Sequence, residues 1–180
     1  MPLPTPPPYN DGIMGHIDHK TAAPKYVNCA VITISDSRTE DTDESGRFLT
    51  AALKENGHTI SHYRLLKNDT TAIKNTIDEF VADEALQIIV TSGGTGLSHR
   101  DITVETVAPL LDKQMPGFGE LFRLLTWETI GTPSIMSRAL GGVKAGKVIL
   151  CLPGSLAAVK LAVERIILPE IGHMAREVGR

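Results

Sequence analysis

This 180-residue chain has few cysteines, no excess of one charge and no long hydrophobic run. Its two cysteines, Cys29 and Cys151, lie in apolar, strand-like stretches. Two such residues cannot form a disulfide framework, so we expect both to be buried free thiols. The 18 basic and 21 acidic side chains give a formal net charge of -3. Proteins that bind nucleic acid by bulk electrostatics usually carry a basic excess, so we expect no nucleic-acid partner.

The hydrophobic residues of the chain are distributed as in a globular protein. There is no run of 18 apolar residues, so we expect no membrane-spanning segment. The N-terminus lacks the basic-then-apolar layout of a signal peptide, which favours a cytoplasmic location. The composition, 42% hydrophobic and 22% charged, and the length of the chain both fit a single domain.

The first 25 residues differ from the rest in composition. They hold six of the 11 prolines of the chain and show no apolar periodicity. Such a segment cannot build a packed core, so we interpret residues 1–25 as a flexible N-terminal tail. Residues 26–180 then form the folded domain.

From residue 26 onwards, apolar runs of strand length alternate with amphipathic segments of helical period. The strands are predicted at 26–35, 59–66, 86–91 and 147–152. The helices are predicted at 43–57, 70–83, 103–112, 119–130 and 155–167, with a break at Pro169 and a last helix to about residue 178. This alternation predicts an α/β fold: a three-layer sandwich with a mainly parallel sheet covered by helices on both faces.

Ligands of open parallel sheets bind outside the carboxyl ends of the strands. The loop after the third predicted strand carries the strongest signal there. Its glycines would let backbone N–H groups turn toward an anion without a Cβ in the way. The hydroxyl and glycine residues concerned are Thr91, Ser92, Gly93, Gly94, Thr95 and Gly96. We expect phosphate binding, with an empty tight turn as the alternative.

Two common phosphate loops do not match this chain. A dinucleotide fingerprint that started at Gly94 would need glycine where His99 stands, and a Walker A loop ending at Lys147 would need Ser or Thr where Val148 stands.

After the last strand, a Pro-Gly-Ser turn opens a helix. Its N-terminus could receive an anion, although capping by the serine explains the turn equally well. The turn comprises Pro153, Gly154 and Ser155.

Three carboxylates also follow predicted strands: Asp36, Asp69 and Asp101. Beside phosphates, carboxylates serve chiefly as Mg²⁺ ligands, and we assign Asp36 and Asp101 to the metal. Loop solvation or capping is the alternative for Asp36, helix capping for Asp69, and an ion pair with Arg100 for Asp101. Further candidates for the same edge are Glu120, Ser137 and Arg138. No Ser–His–Asp or Cys–His arrangement is apparent there.

Five motifs occur in the order ITISDSR, TSGGTGLSHRD, MPGFGELFR, GTPSIMSRALGG and LPGS. In this order they resemble the MoaB/MogA family of molybdenum cofactor biosynthesis proteins, above all its MoaB branch, over about residues 26–175. The resemblance implies a molybdopterin-binding fold. In active members it also implies adenylylation of molybdopterin by Mg-ATP with release of pyrophosphate. It further implies a homo-oligomer, either a trimer or a hexamer, and contacts with other proteins of the pathway.

The resemblance also implies roles for individual residues. The GGTG loop would bind the pterin phosphate and the nearby nucleotide, and Asp101 would be catalytic. Asp69 lies near the family's second functional acid, but a shift of one residue would put Asn68 there instead. The first-strand loop would contact nucleotide through Ser35, Asp36 and Ser37, and the pterin side would comprise Ser137, Arg138 and residues 153–155.

Two other functions remain open at this point. One is a catalytically silent pterin carrier or scaffold in the same pathway. The other is a nucleotide pyrophosphatase related to the CinA-type domain, which has a similar fold.

Overall fold

The computed structural model describes residues 23–180, and most of the predicted tail, residues 1–22, lies outside the described part. Six strands form one sheet in the order β2-β1-β3-β6-β5-β4. Their bounds are β1 Asn28–Ile34, β2 Thr59–Leu66, β3 Ile88–Ser92, β4 Lys113–Gln114, β5 Leu140–Lys144 and β6 Lys147–Leu152. Strands β1, β2, β3 and β6 are parallel, whereas β5 and β4 continue the sheet in antiparallel pairs. This confirms the predicted mainly parallel sheet.

Helices cover the sheet. Their bounds are α1 Glu44–Glu55, α2 Thr70–Ala82, α3 Thr103–Val107, α4 Pro116–Ile130, α5 Leu156–Ala162 and α6 Leu168–Val178. Short 3-10 segments occupy Glu40–Thr42, Ala108–Leu110 and Thr132–Met136. Within residues 23–180, none of the helices has the length and apolar character needed to cross a bilayer.

The predicted break at Pro169 is wrong. A π-helical turn, Val163–Ile167, joins α5 to α6, and Pro169 lies in the first turn of α6. The Leu168 N–H donates to the Val163 carbonyl five residues back, so the wider π turn carries the helix past a residue that has no N–H.

The alternation of side chains along β1 divides the interior into two cores. Cys29 and Val31 pack under α1, α4, α5 and α6, whereas Ala30 and Ile32 pack under α2 and α3. The domain is therefore the predicted three-layer sandwich. Cys29 and Cys151 are buried free thiols in opposite cores, and burial raises their pKa values to about 12 and about 11.

The sequence pattern predicted β6 but neither of the antiparallel strands β4 and β5, the second of which forms a hairpin with β6. Its turn consists of Ala145 and Gly146, with φ of 46° and 75°, as expected for a type I′ hairpin turn. In β5, a Cβ on Gly142 would lie 2.5 Å from Leu111 and 2.6 Å from the Lys113 carbonyl. Glycine at this strand position therefore allows close packing, and it also removes the β-branched signal that identifies strands.

A buried carboxylate ties α1 to the sheet. Asp43 accepts hydrogen bonds from the Gly46 N–H at 3.0 Å and the Tyr63 hydroxyl at 2.7 Å, and it pairs with Arg38 at 3.3 Å. Burial alone would raise the pKa of Asp43, but the Thr33 and Tyr63 hydroxyls, the Gly46 N–H and the Arg38 charge together hold it below its usual value. Burial and the Asp43 carboxylate raise the pKa of Tyr63 to about 12, so its hydroxyl remains a donor.

Asp43→Asn should lower the free energy of unfolding by about 1–3 kcal/mol at pH 7, because the bonds to a charged acceptor are weakened. The carboxyl has a lower pKa in the folded state than its value of about 3.9 in the unfolded chain. Its contribution is therefore complete above about pH 4 and is lost as the pH falls through the folded-state pKa. Urea unfolding at pH 7 and pH 3, at one protein concentration, measures this difference.

The control is Asp41→Asn, which neutralises an exposed carboxylate on the same loop. It should change the free energy of unfolding little at either pH. A difference between wild type and Asp43→Asn that stays equal at pH 7 and pH 3 would contradict the role of the charge.

Candidate functional site

A cavity of about 470 Å³ lies at the carboxyl ends of the parallel strands. The chain leaves β1 toward β2 on one side and reaches β3 on the other, so this edge holds the switch point at which α/β sheets bind ligands. The start of β5 reaches the same edge because β5 runs antiparallel to β6. The cavity is lined by Ile34, Ser35, Asp36, Ser37, Arg38, Asn68, Gly93, Gly94, Thr95, Gly96, Asp101, Met136, Ser137, Arg138, Pro153, Gly154 and Ser155.

The structure therefore brings together most of the residues predicted from sequence, from five separate loops. Four predicted residues are not among those that line the cavity: Asp69, Thr91, Ser92 and Glu120. Thr91 and Ser92 are fully buried at the end of β3. Glu120 is exposed on α4, so the expectation that it faces the pocket is corrected.

The glycine loop has a conformation that only glycine adopts readily. Gly93 and Gly94 have φ of 108° and 64°, and a Cβ on Gly93 would lie 2.1 Å from the Ile34 carbonyl oxygen. Thr103 holds the loop from behind, since its hydroxyl and its N–H donate to the Gly93 and Gly94 carbonyls, both at 2.9 Å. The loop is thus fixed before any ligand binds.

Arg138 supports the outer part of the same loop. Its guanidinium donates to the carbonyls of Thr95 at 3.0 Å and Gly96 at 2.6 Å, and it forms an ion pair with Glu105. The hydrogen bond from Arg138 lowers the pKa of Glu105. The sequence predicted Arg138 as a ligand contact, and in the structure its donors are largely occupied by the protein itself.

Two carboxylates line the cavity. The Asn68 N–H donates to Asp36 Oδ1 at 3.0 Å, and this bond holds the pKa of Asp36 below its usual value. Asp101 accepts the Ser98 N–H at 3.2 Å. Among residues 23–180, Arg100 forms no ion pair with Asp101, so that alternative explanation of Asp101 finds no support in the structure.

Asn68 and Asp69 face different surroundings. Asp69 caps α2 by accepting the Ala72 N–H at 2.7 Å. Asn68 lines the cavity, and its buried Oδ1 has no hydrogen-bond partner within the described residues. Ser137 Oγ, on another loop that lines the cavity, is buried and unpartnered in the same way among the described residues. Buried polar atoms are normally satisfied, so these two indicate where a ligand could bond.

The Pro-Gly-Ser turn closes the cavity beside the glycine loop. Ser155 Oγ accepts the Ala158 N–H at 3.2 Å, so the serine does cap the helix, as the structural alternative proposed. Gly154 is packed so closely that a Cβ there would lie 3.1 Å from the Gly93 Cα. Capping and cavity lining therefore occur in one turn.

Sequence reasoning assigned no role to Ile34, Arg38 or Met136, which line the cavity. Arg38 lies at the end of the predicted first-strand loop, but no motif distinguishes its guanidinium from a solvated one. Met136 belongs to a 3-10 segment whose position depends on the antiparallel β5, which the pattern did not predict. Asn68 was identified only as an alternative to Asp69 for the second acidic position.

The donor set of the cavity suits Mg²⁺ bound together with phosphates. Within residues 23–180 no group of three His, Cys, Asp or Glu side chains is placed to hold a metal ion. Mg²⁺ is commonly bound by one or two carboxylates and by substrate phosphates, and it keeps several waters. Asp36 and Asp101 supply two such carboxylates on one cavity. The arrangement can hold a phosphate-bearing ligand and a hard cation.

Comparison with known proteins gives matches over nearly the whole described chain. A family model described as a probable molybdopterin binding domain matches residues 30–173. Molybdenum cofactor biosynthesis protein B of Bacillus cereus is 45% identical over 168 residues, which cover 93% of this chain and 99% of that protein.

Two crystal structures extend the comparison to the fold. One, of a molybdenum cofactor biosynthesis protein B, has a TM-score of 0.83 at 46% identity and covers 87% of this chain and 98% of its own. The other, of the tungsten cofactor synthesizing protein MoaB from Pyrococcus furiosus, has a TM-score of 0.79 at 34% identity and covers 88% and 100%. Sequence motifs, fold and relatives agree: this chain belongs to the MoaB/MogA family of molybdenum cofactor biosynthesis proteins.

Proposed function

We propose that this protein adenylylates molybdopterin with Mg-ATP and releases pyrophosphate. One observation carries the proposal: a single cavity combines a rigid glycine loop with two carboxylates, Asp36 and Asp101, that come from different strands. The relatives' names, which refer to molybdenum and tungsten cofactor synthesis, support molybdopterin as the second substrate.

The reaction transfers AMP between two phosphate-bearing molecules. An oxygen of the pterin's terminal phosphate forms a bond to the α-phosphorus of ATP, and the bond from that phosphorus to the bridging oxygen breaks, so pyrophosphate leaves with the electron pair. The attacking oxygen already carries negative charge, so the step needs neither a covalent enzyme intermediate nor a strong base. Catalysis would come from positioning and charge neutralisation.

The residues of the cavity supply those two effects. The loop fixed by Thr103 and Arg138 would orient a phosphate through its N–H groups beyond Gly93. The N–H of Gly93 itself already donates to the Leu152 carbonyl at 2.9 Å. Asp36 and Asp101 would hold Mg²⁺, which, when bound, neutralises charge on the phosphates. Asn68 Oδ1 and Ser137 Oγ would bond polar groups of the substrates, because both atoms are buried without partners in the described part of the chain.

A specific observation favours the alternative, a non-catalytic molybdopterin carrier in the same pathway. Asp69 is directed to the end of α2, and an amide, Asn68, lines the cavity in its place. The cavity is therefore lined by two carboxylates, Asp36 and Asp101, where the sequence predicted four. A carrier would bind the pterin but would not release pyrophosphate from ATP.

The decisive experiment measures pyrophosphate release from Mg-ATP with and without molybdopterin. Release that requires the pterin and yields the AMP adduct would support the adenylyltransferase. Tight pterin binding without release would favour the carrier. Hydrolysis of dinucleotides in the absence of pterin would favour a pyrophosphatase instead.

Asp101→Ala should lower pyrophosphate release at least 100-fold, because it removes a proposed ligand of the Mg²⁺ that would neutralise charge in the transition state. The Kd for molybdopterin should stay within about threefold, because Asp101 is not proposed to bind the pterin. The matched control is Asp78→Asn, which neutralises a carboxylate paired with Lys74 on the outer face of α2. Equal turnover in Asp101→Ala and wild type would contradict the catalytic assignment.

The ambiguity between Asn68 and Asp69 is resolved by a pair of variants. Asn68→Ala should lower turnover about 10-fold or more, because a cavity-lining oxygen is lost. Asp69→Ala should retain turnover and lower the free energy of unfolding by about 0.5–2 kcal/mol, the usual contribution of a helix cap. Initial rates and urea unfolding are measured on both variants. A folded Asp69→Ala protein without turnover would instead identify Asp69 as the second catalytic acid.

Self-association is also part of the proposal. Apolar side chains follow the solvent-facing side of α4 at three-residue spacing, namely Leu121, Leu124, Trp127 and Ile130, each 42–56% exposed. Exposed apolar stripes of this kind mark protein–protein contacts. Ile135 and Met136 extend the stripe to the rim of the cavity. We propose that copies of the chain associate through this surface, as the family resemblance implies for a trimer or hexamer.

Leu124→Glu should dissociate the oligomer, because a charge would be buried in the contact. Light scattering after gel filtration measures the mass, and the emission of Trp127, the single tryptophan, should shift to the red as its ring becomes hydrated. Ala51→Glu, an exposed substitution on α1, is the control and should leave the mass unchanged. An unchanged mass for Leu124→Glu would contradict this choice of surface.

A further inference from the structure

The two arginines that line the cavity differ in how many of their N–H groups are already used. A guanidinium has five N–H donors. Arg138 makes four hydrogen bonds, to the Thr95 and Gly96 carbonyls and to both oxygens of Glu105. The guanidinium is bonded to both oxygens of the Glu105 carboxylate, so few of its N–H groups are left for a ligand.

Arg38 is in the opposite situation. Its Nη1 donates to Asp43 at 3.3 Å and its Nη2 to the Gly154 carbonyl at 3.0 Å. Its other N–H groups, including that of Nε, have no partner within residues 23–180. The side chain is 28% exposed, and it lines the cavity. Arg38 is therefore the cation of the cavity with donors to offer.

Asp43 holds this guanidinium in place without saturating it. The carboxylate is fully buried and is fixed by the Gly46 N–H and the Tyr63 hydroxyl, so its negative charge is shared among three donors. At the other end, the Gly154 carbonyl that accepts from Arg38 also accepts the Ser45 hydroxyl at 2.9 Å. Both ends of the guanidinium are thus attached to rigid groups, which limits the entropy lost when a ligand binds.

We propose that Arg38 is the arginine of this cavity that binds a phosphoryl group, and that the buried Asp43 is its positioning residue. Guanidinium groups bind phosphate through charge-assisted N–H···O bonds, and Arg38 has N–H groups left to form them. ATP and molybdopterin both carry such a group. The inference rests on the proposed function only in this choice of ligands.

Binding measurements test the inference without requiring turnover. Calorimetric titrations with ATP, with inorganic pyrophosphate and with molybdopterin, all without Mg²⁺, give a Kd for wild type and for Arg38→Gln. Loss of a charge-assisted hydrogen bond should raise the Kd about 10- to 100-fold. A rise for ATP and pyrophosphate alone assigns the nucleotide phosphates to Arg38, and a rise for molybdopterin alone assigns the pterin phosphate. An unchanged Kd for all three overturns the proposal.

The matched control is Arg47→Gln on α1. This substitution also removes one positive charge, but Arg47 is exposed and bonds to the backbone carbonyls of Glu40 and Asp41, away from the cavity. Its Kd values should equal those of wild type. A rise as large as that of Arg38→Gln would mean that net charge, and not Arg38 itself, governs binding, and would overturn the proposal.

The double variant Asp43→Asn/Arg38→Gln serves two purposes. It leaves no buried charge unpaired, so it keeps the test valid if Arg38→Gln alone fails to fold. It also completes a double-mutant cycle. If Asp43 acts through Arg38, Asp43→Asn should raise the Kd about 3- to 10-fold in the wild-type background and not at all in the Arg38→Gln background. Additive effects would show a merely structural role for Asp43.

The two proposals fail in different ways. If the wild-type protein binds ATP but transfers no AMP, the adenylyltransferase proposal is overturned, and the conclusion about phosphate binding by Arg38 is unaffected. Conversely, AMP transfer by wild type together with an unchanged Kd in Arg38→Gln overturns the role of Arg38 and leaves the reaction standing.

Discussion

The close approach of the Gly93 and Gly154 backbones is the constraint on which the cavity depends. A single Cβ on Gly154 would lie 3.1 Å from the Gly93 Cα, and one on Gly93 would lie 2.1 Å from the Ile34 carbonyl. Three loops, after β1, β3 and β6, therefore meet without side chains between them. The polar residues that follow each strand are brought to one edge only because the backbones behind them can approach so closely. The site is thus a consequence of the parallel sheet and of glycine at two positions, rather than of any single catalytic motif.

The charges around this edge follow one pattern. Each arginine of the cavity has a carboxylate of its own outside it, Asp43 for Arg38 and Glu105 for Arg138. The carboxylates inside the cavity, Asp36 and Asp101, accept backbone N–H groups and are not paired with those arginines. Opposite charges thus line one cavity without cancelling each other directly. Such an arrangement suits a ligand that brings both signs, and a phosphate group together with a divalent cation is that kind of ligand.

The sequence correctly predicted those strands and helices whose hydrophobic pattern depends only on residues close to one another in the chain. Long apolar strands such as β6 and amphipathic helices such as α2 were placed to within a few residues, since their periodicity depends only on which face is buried. The hairpin strand β5 was missed because its glycines are required by close contacts with residues distant in sequence: Gly141 packs against Met115 and Phe118, and Gly142 against Leu111 and Lys113. The same limit applies to the site. Glycines and carboxylates after strands could be recognised, whereas the direction in which Asp69, Glu120 or Arg38 points depends on tertiary contacts that no spacing encodes.

The neighbouring residues Asn68 and Asp69 show how finely such a site is determined. Asp69 is an effective helix cap, and capping requires its side chain to turn back toward the Ala72 N–H. The residue before the cap then faces the opposite way, so Asn68 is directed into the cavity while its N–H meets Asp36. An amide at this position can bond a ligand but cannot neutralise a cation. Mg²⁺ would therefore depend on Asp36, Asp101 and the phosphates themselves, which makes its binding conditional on the nucleotide. The metal would then enter the cavity with the nucleotide and not ahead of it, because two carboxylates alone leave most of its coordination shell to phosphate oxygens and water.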